Sequence, residues 1–288
     1  MGGMSGVLCP TTTAELDHGL VEYRFDQRGS ATVLVLHGGH LNAGLALGED
    51  VFADAGYSVL APSRPGYGRT PLATGTTTSG FADVLRSLCE HLGIARIAAV
   101  VGVSAGGPTA MAIAARHPDL VERVILQSAV GPVPWPDART RLAARIAFVP
   151  ATERVTWSVV RAIMRLAPDL GLRLLLGDLA ALPAKQVVRA LSAEDRRMLI
   201  ELFSRMRSGE GFRNDLATLR AGADQVVTQP TLVIASRNDG AVPFAHAEAL
   251  SAAIRHSRLI ESAADSHFVW LSHDWPAISG KIRDFLAD

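Results

Sequence analysis

The sequence predicts an α/β fold: a mostly parallel sheet flanked by helices and interrupted by one all-helical insertion. Three observations carry this. Residues 31–36 (ATVLVL), 57–61, 97–101, 124–127 and 231–235 (TLVIA) are short apolar runs bounded by turn residues, which is how strands buried on both faces read. Helical stretches alternate with them, and that alternation implies a parallel sheet covered on both sides. Between residues 135 and 220 the alternation stops. Only helical periodicity remains there, with Arg161 and Arg165, or Leu199, Leu202 and Phe203, spaced along helix faces.

Taken in order, residues 1–10 read as a loose lead-in. Residues 20–25 form a strand ended by the turn-rich run 26–29. After the 31–36 strand come His37-Gly38-Gly39-His40, then a helical pattern over 43–55 stopped by Gly56. The 57–61 strand leads into a loop dense in Gly and Pro at 62–70. An amphipathic helix spans 79–91 and ends at Gly93. The 97–101 strand, a small-residue helix over 105–116 and the 124–127 strand follow. Pro132, Pro134 and Pro136 mark the exit into the insertion. Beyond it come the 231–235 strand, a helix over 245–254, a short strand at 257–260 and a final helix over 275–286.

With 288 residues, 48% of them hydrophobic and 19% charged, the chain can bury a sizeable core and does not read as disordered. Its net charge of zero gives no global attraction to nucleic acid or to an anionic membrane. No apolar run approaches the roughly 20 residues needed to cross a bilayer. Cys9 and Cys89 are too few for a disulfide framework and read as free thiols in a reducing compartment. No basic segment followed by a long apolar one opens the chain. The expectation is a cytoplasmic monomer or homodimer whose partner is a small-molecule substrate. The insertion carries 15 Arg and Lys against 9 Asp and Glu. That excess reads first as arginines lying along solvated helix faces, and second as a basic lid favouring an anionic substrate.

Chemistry concentrates at Gly102-Val103-Ser104-Ala105-Gly106, a Gly-x-Ser-x-Gly run at a strand-to-helix joint. So tight a turn strains Ser104, lifts its Oγ clear of the backbone, and requires neighbours without a Cβ. Pro108 fits a first helical turn, where its missing N–H costs no hydrogen bond. A serine hydroxyl is a poor nucleophile without a base in reach and a group that orients the base. His267, in the loop after the last strand, is the candidate base, with His273 as its rival. His18, His91, His117, His246 and His256 read as surface residues. Asp239, four residues after TLVIA, is the candidate acid, with Asp265 second. The order Ser104, Asp239, His267 is the one expected on a strand–helix sheet. An oxyanion formed on attack needs two preorganised N–H groups. Ala105 supplies one and Gly39 the other, with Gly38 giving the flexibility for close approach. His37 and His40 lack the companions of a metal site, so no metal is expected; His37 reads as a residue holding the loop.

These residues, in this order, resemble the α/β-hydrolase superfamily over nearly the whole chain. The matching pieces are His37-Gly38-Gly39, the loop from Arg64 to Thr70, Gly102 to Gly107, Asp239 with Val242-Pro243, and Ser266-His267-Phe268. Many members carry an acid at or near Arg64, and Gly more often stands where Ser266 does here. The resemblance implies an α/β-hydrolase core at 1–134 and 221–288, a helical cap over 135–220 that roofs the pocket, and activity without a cofactor. Dehalogenases and epoxide hydrolases of this fold carry aspartate at the nucleophile position; serine favours acyl transfer. The expected function is hydrolysis of a small carboxylic ester or lactone through an acyl-enzyme. Carbon–carbon bond hydrolysis, aminopeptidase activity and non-catalytic ligand binding are the alternatives. An aminopeptidase would need a carboxylate in the cap, such as Glu201 or Glu210. Gly38, His40, Trp135 and Trp157 are candidates for contact with substrate. Trp135, Trp157, Phe148, Met164 and Phe203 could line a pocket or pack in the core.

Overall fold

The computed structural model describes residues 8–136, 150–218 and 226–288. Eight strands, β1 (Thr12–Leu16), β2 (Gly19–Asp26), β3 (Thr32–Leu36), β4 (Ser58–Pro62), β5 (Ala99–Val103), β6 (Val124–Gln127), β7 (Thr231–Ser236) and β8 (Ser257–Ser262), form one sheet in the order β1-β2-β4-β3-β5-β6-β7-β8. β1, β2 and β4 pair antiparallel, and every pair from β4 through β8 is parallel.

Successive side chains on a strand point to opposite faces. Val33, Val35, Val101, Ile125, Leu232 and Ile234 therefore join one core. Leu34, Leu36, Val100, Leu126 and Val233 join the other. Helices α2 (Thr78–His91), α3 (Gly107–Arg116) and α9 (Ala245–Ala253) cover the second face. Helices α1 (Asp50–Asp54) and α10 (Trp275–Ala287) cover the first. Between β6 and β7 the described residues form α4 (Pro150–Leu166), α5 (Pro168–Leu179), α6 (Ala184–Ala190), α7 (Ala193–Arg205) and α8 (Gly211–Thr218). Their inner residues Met164, Leu172, Leu176, Leu199 and Phe203 belong to the same core as Phe268 and Trp270. Met164 and Phe203 are thus packing residues. Phe148 and the expected boundary at 220/221 lie outside the described residues. No helix among the described residues is long and apolar enough to cross a membrane.

Three expectations are corrected and one strand is added. The helix expected over 43–55 is only the five residues of α1. A turn closes at Leu45, whose N–H donates to Asn42 O at 3.0 Å, and Gly48 lies against the Trp270 ring. Strand β5 starts two residues later than expected and runs to Val103, leaving Ile97 in a lone bridge to Val121. The helix expected from 105 begins as a tight 3-10 turn, Ser104–Gly106, and becomes α-helical at Gly107. Strand β1 was not foreseen. It is an edge strand with only Ala14 buried, so it carries no apolar run.

Strand β5 and helix α3 meet at very close range. A Cβ on Gly102 would stand 2.7 Å from Gly107 Cα, and one on Gly106 would overlap the Leu36 carbonyl. Overpacking a rigid site typically costs 1–3 kcal/mol. Gly106→Ala is therefore expected to lose about 3 kcal/mol, read as a fall in the urea midpoint; an unchanged midpoint would show slack in this turn.

Candidate active site

Ser104 stands at the end of β5 with φ 53°, a left-handed conformation rare for a residue with a side chain. The chain reverses there into α3, so the hydroxyl sits at the positive end of that helix. Ala105, fully buried in the turn, carries a first-turn N–H of the kind that lacks an α-helical partner.

Asp239 follows β7 and His267 follows β8, and β5 to β8 are consecutive in the sheet. The sheet thereby gathers all three at its carboxyl edge. His267 Nδ1 lies 2.7 Å from Asp239 Oδ2, and both side chains are buried. The other carboxylate oxygen accepts the N–H groups of Ala241 and Val242, each at 2.8 Å. Asp239 is thus both turn-former and partner of the imidazole. A carboxylate accepts, so Nδ1 carries a proton, and in the neutral ring Nε2 keeps its lone pair. Segment 128–130 ties this pair to Ser104. Ser128, at φ 46°, donates its hydroxyl to His267 O at 2.8 Å, and Val130 N–H donates to Ser104 O at 3.0 Å. Asp265 is only half-buried and His273 is exposed; neither is the partner seen here. His246 is not on the surface. It is buried and accepts the Gly131 N–H through Nδ1 at 3.0 Å.

The 37–40 loop lies against Ser104. A Cβ on Gly38 would stand 3.0 Å from Ser104 Cβ and 3.6 Å from its Oγ. His37 Nε2 accepts the Arg64 N–H at 2.9 Å, so its proton is on Nδ1, which donates to Gly38 O at 2.7 Å. Burial, reinforced by the nearby Arg64 charge, pushes the His37 pKa down to about 3, which keeps the ring neutral. Arg64 donates from Nε to His37 O at 2.8 Å and from Nη2 to Gly38 O at 3.3 Å. Its two Nη atoms also grip Asp215 of α8, at 2.7 and 2.8 Å, and Tyr67 donates its hydroxyl to the same carboxylate at 2.6 Å. Burial alone would lower the Arg64 pKa, but the facing Asp215 carboxylate outweighs it and raises it. Among the described residues, the Gly38 and Gly39 N–H groups donate to no protein acceptor.

An aromatic wall adjoins Gly39. The His40 ring lies 4.0 Å from that of Phe212 and 5.3 Å from that of Trp157, centroid to centroid. Ser208, fully buried, takes the Trp157 Nε1–H at 2.9 Å and pairs with His40 Nδ1 at 2.7 Å. Burial and Arg64 push the His40 pKa down to about 3. Trp135 donates Nε1–H to Ala241 O at 2.7 Å, beside the acid turn, and packs on Tyr67, Phe212 and Leu216. Of the carboxylates considered for an amine-binding role, Glu201 and Glu210 are both exposed. Among the described residues, the insertion's buried acids are Asp215, bound to Arg64, and Glu153, whose Oε1 accepts the Ser208 and Gly209 N–H groups at 3.1 and 3.3 Å. The end of α5 also touches the site: Leu179 O accepts the His267 N–H at 2.8 Å and the Gly240 N–H at 3.3 Å. Sequence reading missed Asp215, Tyr67, Glu153, Ser208 and Leu179. Only Arg64, at or next to a position where an acid is common, gave a signal. Among the described residues, no group of three His, Cys, Asp or Glu could hold a metal ion.

A sharp turn after a central strand and a carboxylate–imidazole pair thus lie at one edge of the sheet, with a glycine loop against the turn. The sequence model of the alpha/beta hydrolase fold family matches residues 31–274, and the chain belongs to that family. It is 32% identical over 279 residues to the uncharacterized hydrolase YcgS of Bacillus subtilis, covering 95% of this chain and 97% of that one. A 2-hydroxy-6-oxononadienedioate/2-hydroxy-6-oxononatrienedioate hydrolase of a Pseudomonas species is 26% identical over 209 residues, 68% of this chain and 65% of that one. Among solved structures, an alpha/beta hydrolase fold protein from Nakamurella multipartita superposes with a TM-score of 0.79 at 24% identity, covering 96% and 99% of the two chains.

The neutral His37 has a consequence for stability. Its pKa is about 3 when folded and near the ordinary 6.5 when unfolded, so only the unfolded chain takes up that proton between those values. Stability is therefore complete above pH 6.5 and falls as pH drops toward 3, by up to about 1.4 kcal/mol per pH unit from this ring. Urea midpoints measured from pH 7 to pH 4 should fall, and less steeply in His37→Asn. Equal slopes would show that His37 does not contribute.

Proposed function

We propose that the chain is a serine hydrolase that cleaves a small carboxylic ester or lactone through an acyl-enzyme. The observation that carries this reading is the 2.7 Å pairing of His267 with Asp239 at the sheet edge that also holds Ser104. Ser104 Oγ attacks the acyl carbon as His267 Nε2 takes its proton. The carbonyl π electrons move onto oxygen, and the Gly39 and Ala105 N–H groups hold that charge. Asp239 stabilises the imidazolium. Collapse of the tetrahedral intermediate expels the alkoxide, which receives the proton from His267. Water then repeats the sequence on the acyl-enzyme, releasing the acid and restoring Ser104. The insertion serves as cap, with His40, Trp157 and Trp135 along the acyl-binding side.

The wall beside Gly39 supports an uncharged substrate. His37 and His40 are neutral, and the buried Arg64 charge is matched by Asp215. Carbon–carbon bond hydrolysis is the second reading, favoured by the likeness to the Pseudomonas hydrolase.

Hydrolysis of p-nitrophenyl butyrate by the wild type should fall about 10⁴-fold or more in kcat/KM in Ser104→Ala, with Asp239→Asn also strongly impaired. Turnover that survives Ser104→Ala would contradict the nucleophile. Stoichiometric binding without turnover would point instead to a ligand-binding protein, and turnover confined to vinylogous diketones to the second reading.

A further inference from the structure

Two successive carbonyls of the 37–40 loop, His37 O and Gly38 O, face one guanidinium, that of Arg64, at 2.8 and 3.3 Å. In a trans peptide the carbonyl and the following N–H point in opposite directions across one plane. Fixing His37 O and Gly38 O toward Arg64 therefore fixes the N–H of Gly38 and of Gly39 away from it. Two successive N–H groups on one side of the chain make an anion-binding concavity. Both are unpaired among the described residues, and Gly38 is buried against Ser104. The loop has no strand partner at these residues; besides Arg64, the His37 Nδ1–H donates to Gly38 O, at 2.7 Å, from within the loop. The guanidinium is itself held from the insertion, by both oxygens of Asp215 on α8, and Tyr67 completes that carboxylate's contacts.

We propose that Arg64 is a positioning residue for the oxyanion hole. It sets the Gly38 peptide plane and, together with the His37 ring, the Gly39 plane, and Asp215 locks it in place from the insertion, so that docking of α8 and readiness of the N–H donors are one event. This rests on the serine-hydrolase reading above and extends it: the second donor is a pair, Gly38 with Gly39, and its aim is set from across the insertion boundary.

Arg64→Lys keeps the charge but cannot bridge two carbonyls while gripping both oxygens of Asp215. The expected result is a 10- to 100-fold fall in kcat with KM within about twofold, since removing one oxyanion donor outright typically costs 10²- to 10³-fold. The second-order rate of Ser104 modification by a fluorophosphonate, read by intact mass, should fall by the same factor, because that reaction also places charge on the held oxygen. Arg64→Met combined with Asp215→Leu replaces a buried ion pair by apolar groups, a change that commonly preserves the fold. If Arg64→Lys does not fold, this double variant gives the reading; it should fold and remain equally slow.

Wild-type kcat in a folded Arg64→Lys, or full rate restored in the double variant, would overturn the inference and reduce the pair to a structural contact. A rise in KM at unchanged kcat would also overturn it, by making Arg64 a substrate-binding residue. Failure of the wild type to react with the fluorophosphonate would contradict the serine-hydrolase reading itself, and is distinguishable because it appears before any substitution is made.

Discussion

Close backbone approach at the carboxyl end of β5 is the constraint on which the rest of the site depends. Ser104 is held at φ 53°, Gly106 passes beneath the Leu36 carbonyl, and a Cβ on Gly38 would press on Ser104 at 3.0 Å. None of these contacts stabilises the fold by its own chemistry. Their effect is geometric: they put the hydroxyl, the first N–H of a helix and the 37–40 loop within one small volume. The strain at Ser104 is held by its surroundings. Its carbonyl accepts the Val130 N–H, and the adjacent Ser128 reaches across to the His267 backbone.

The insertion belongs to the same construction. Two of its contacts with the core bear closely on the candidate chemistry. Leu179 O takes the backbone N–H of His267 and of Gly240, next to the candidate acid. Asp215 takes Arg64, whose other donors hold the loop beside Ser104. Removing one partner of a buried ion pair leaves an uncompensated charge and typically costs about 3–5 kcal/mol. The contact is therefore a poor place for the insertion to open. Its apolar residues merge with the core on one sheet face, which makes the junction a packed interface rather than a loose lid.

What the sequence made legible follows from how local each signal is. The central strands read directly because burial on both faces makes them apolar throughout, as in residues 31–36 and 231–235. Ser104 and Asp239 could be chosen because each follows such a strand, and His267 because it follows the short last strand β8; a parallel sheet carries strand ends to one edge. Strand β1 was invisible because only one of its residues is buried. The helix expected over 43–55 failed because apolar residues in a loop that packs on the core can mimic helical spacing. Asp215 and Glu153 could not be found: their roles depend on Arg64 and on the Ser208–Gly209 backbone, far away in sequence and brought near only by folding of the insertion. His246 was misread as surface because nothing nearby marks its contact with Gly131.

The most direct test of the account is a crystal structure of the protein after reaction with a phosphonate that mimics the tetrahedral intermediate. The account places phosphorus on Ser104 Oγ, its free oxygen between the Ala105 N–H and those of Gly38 and Gly39, and His267 Nε2 facing the leaving-group position. An adduct on another side chain, or a phosphonyl oxygen turned away from the 37–40 loop, would contradict it.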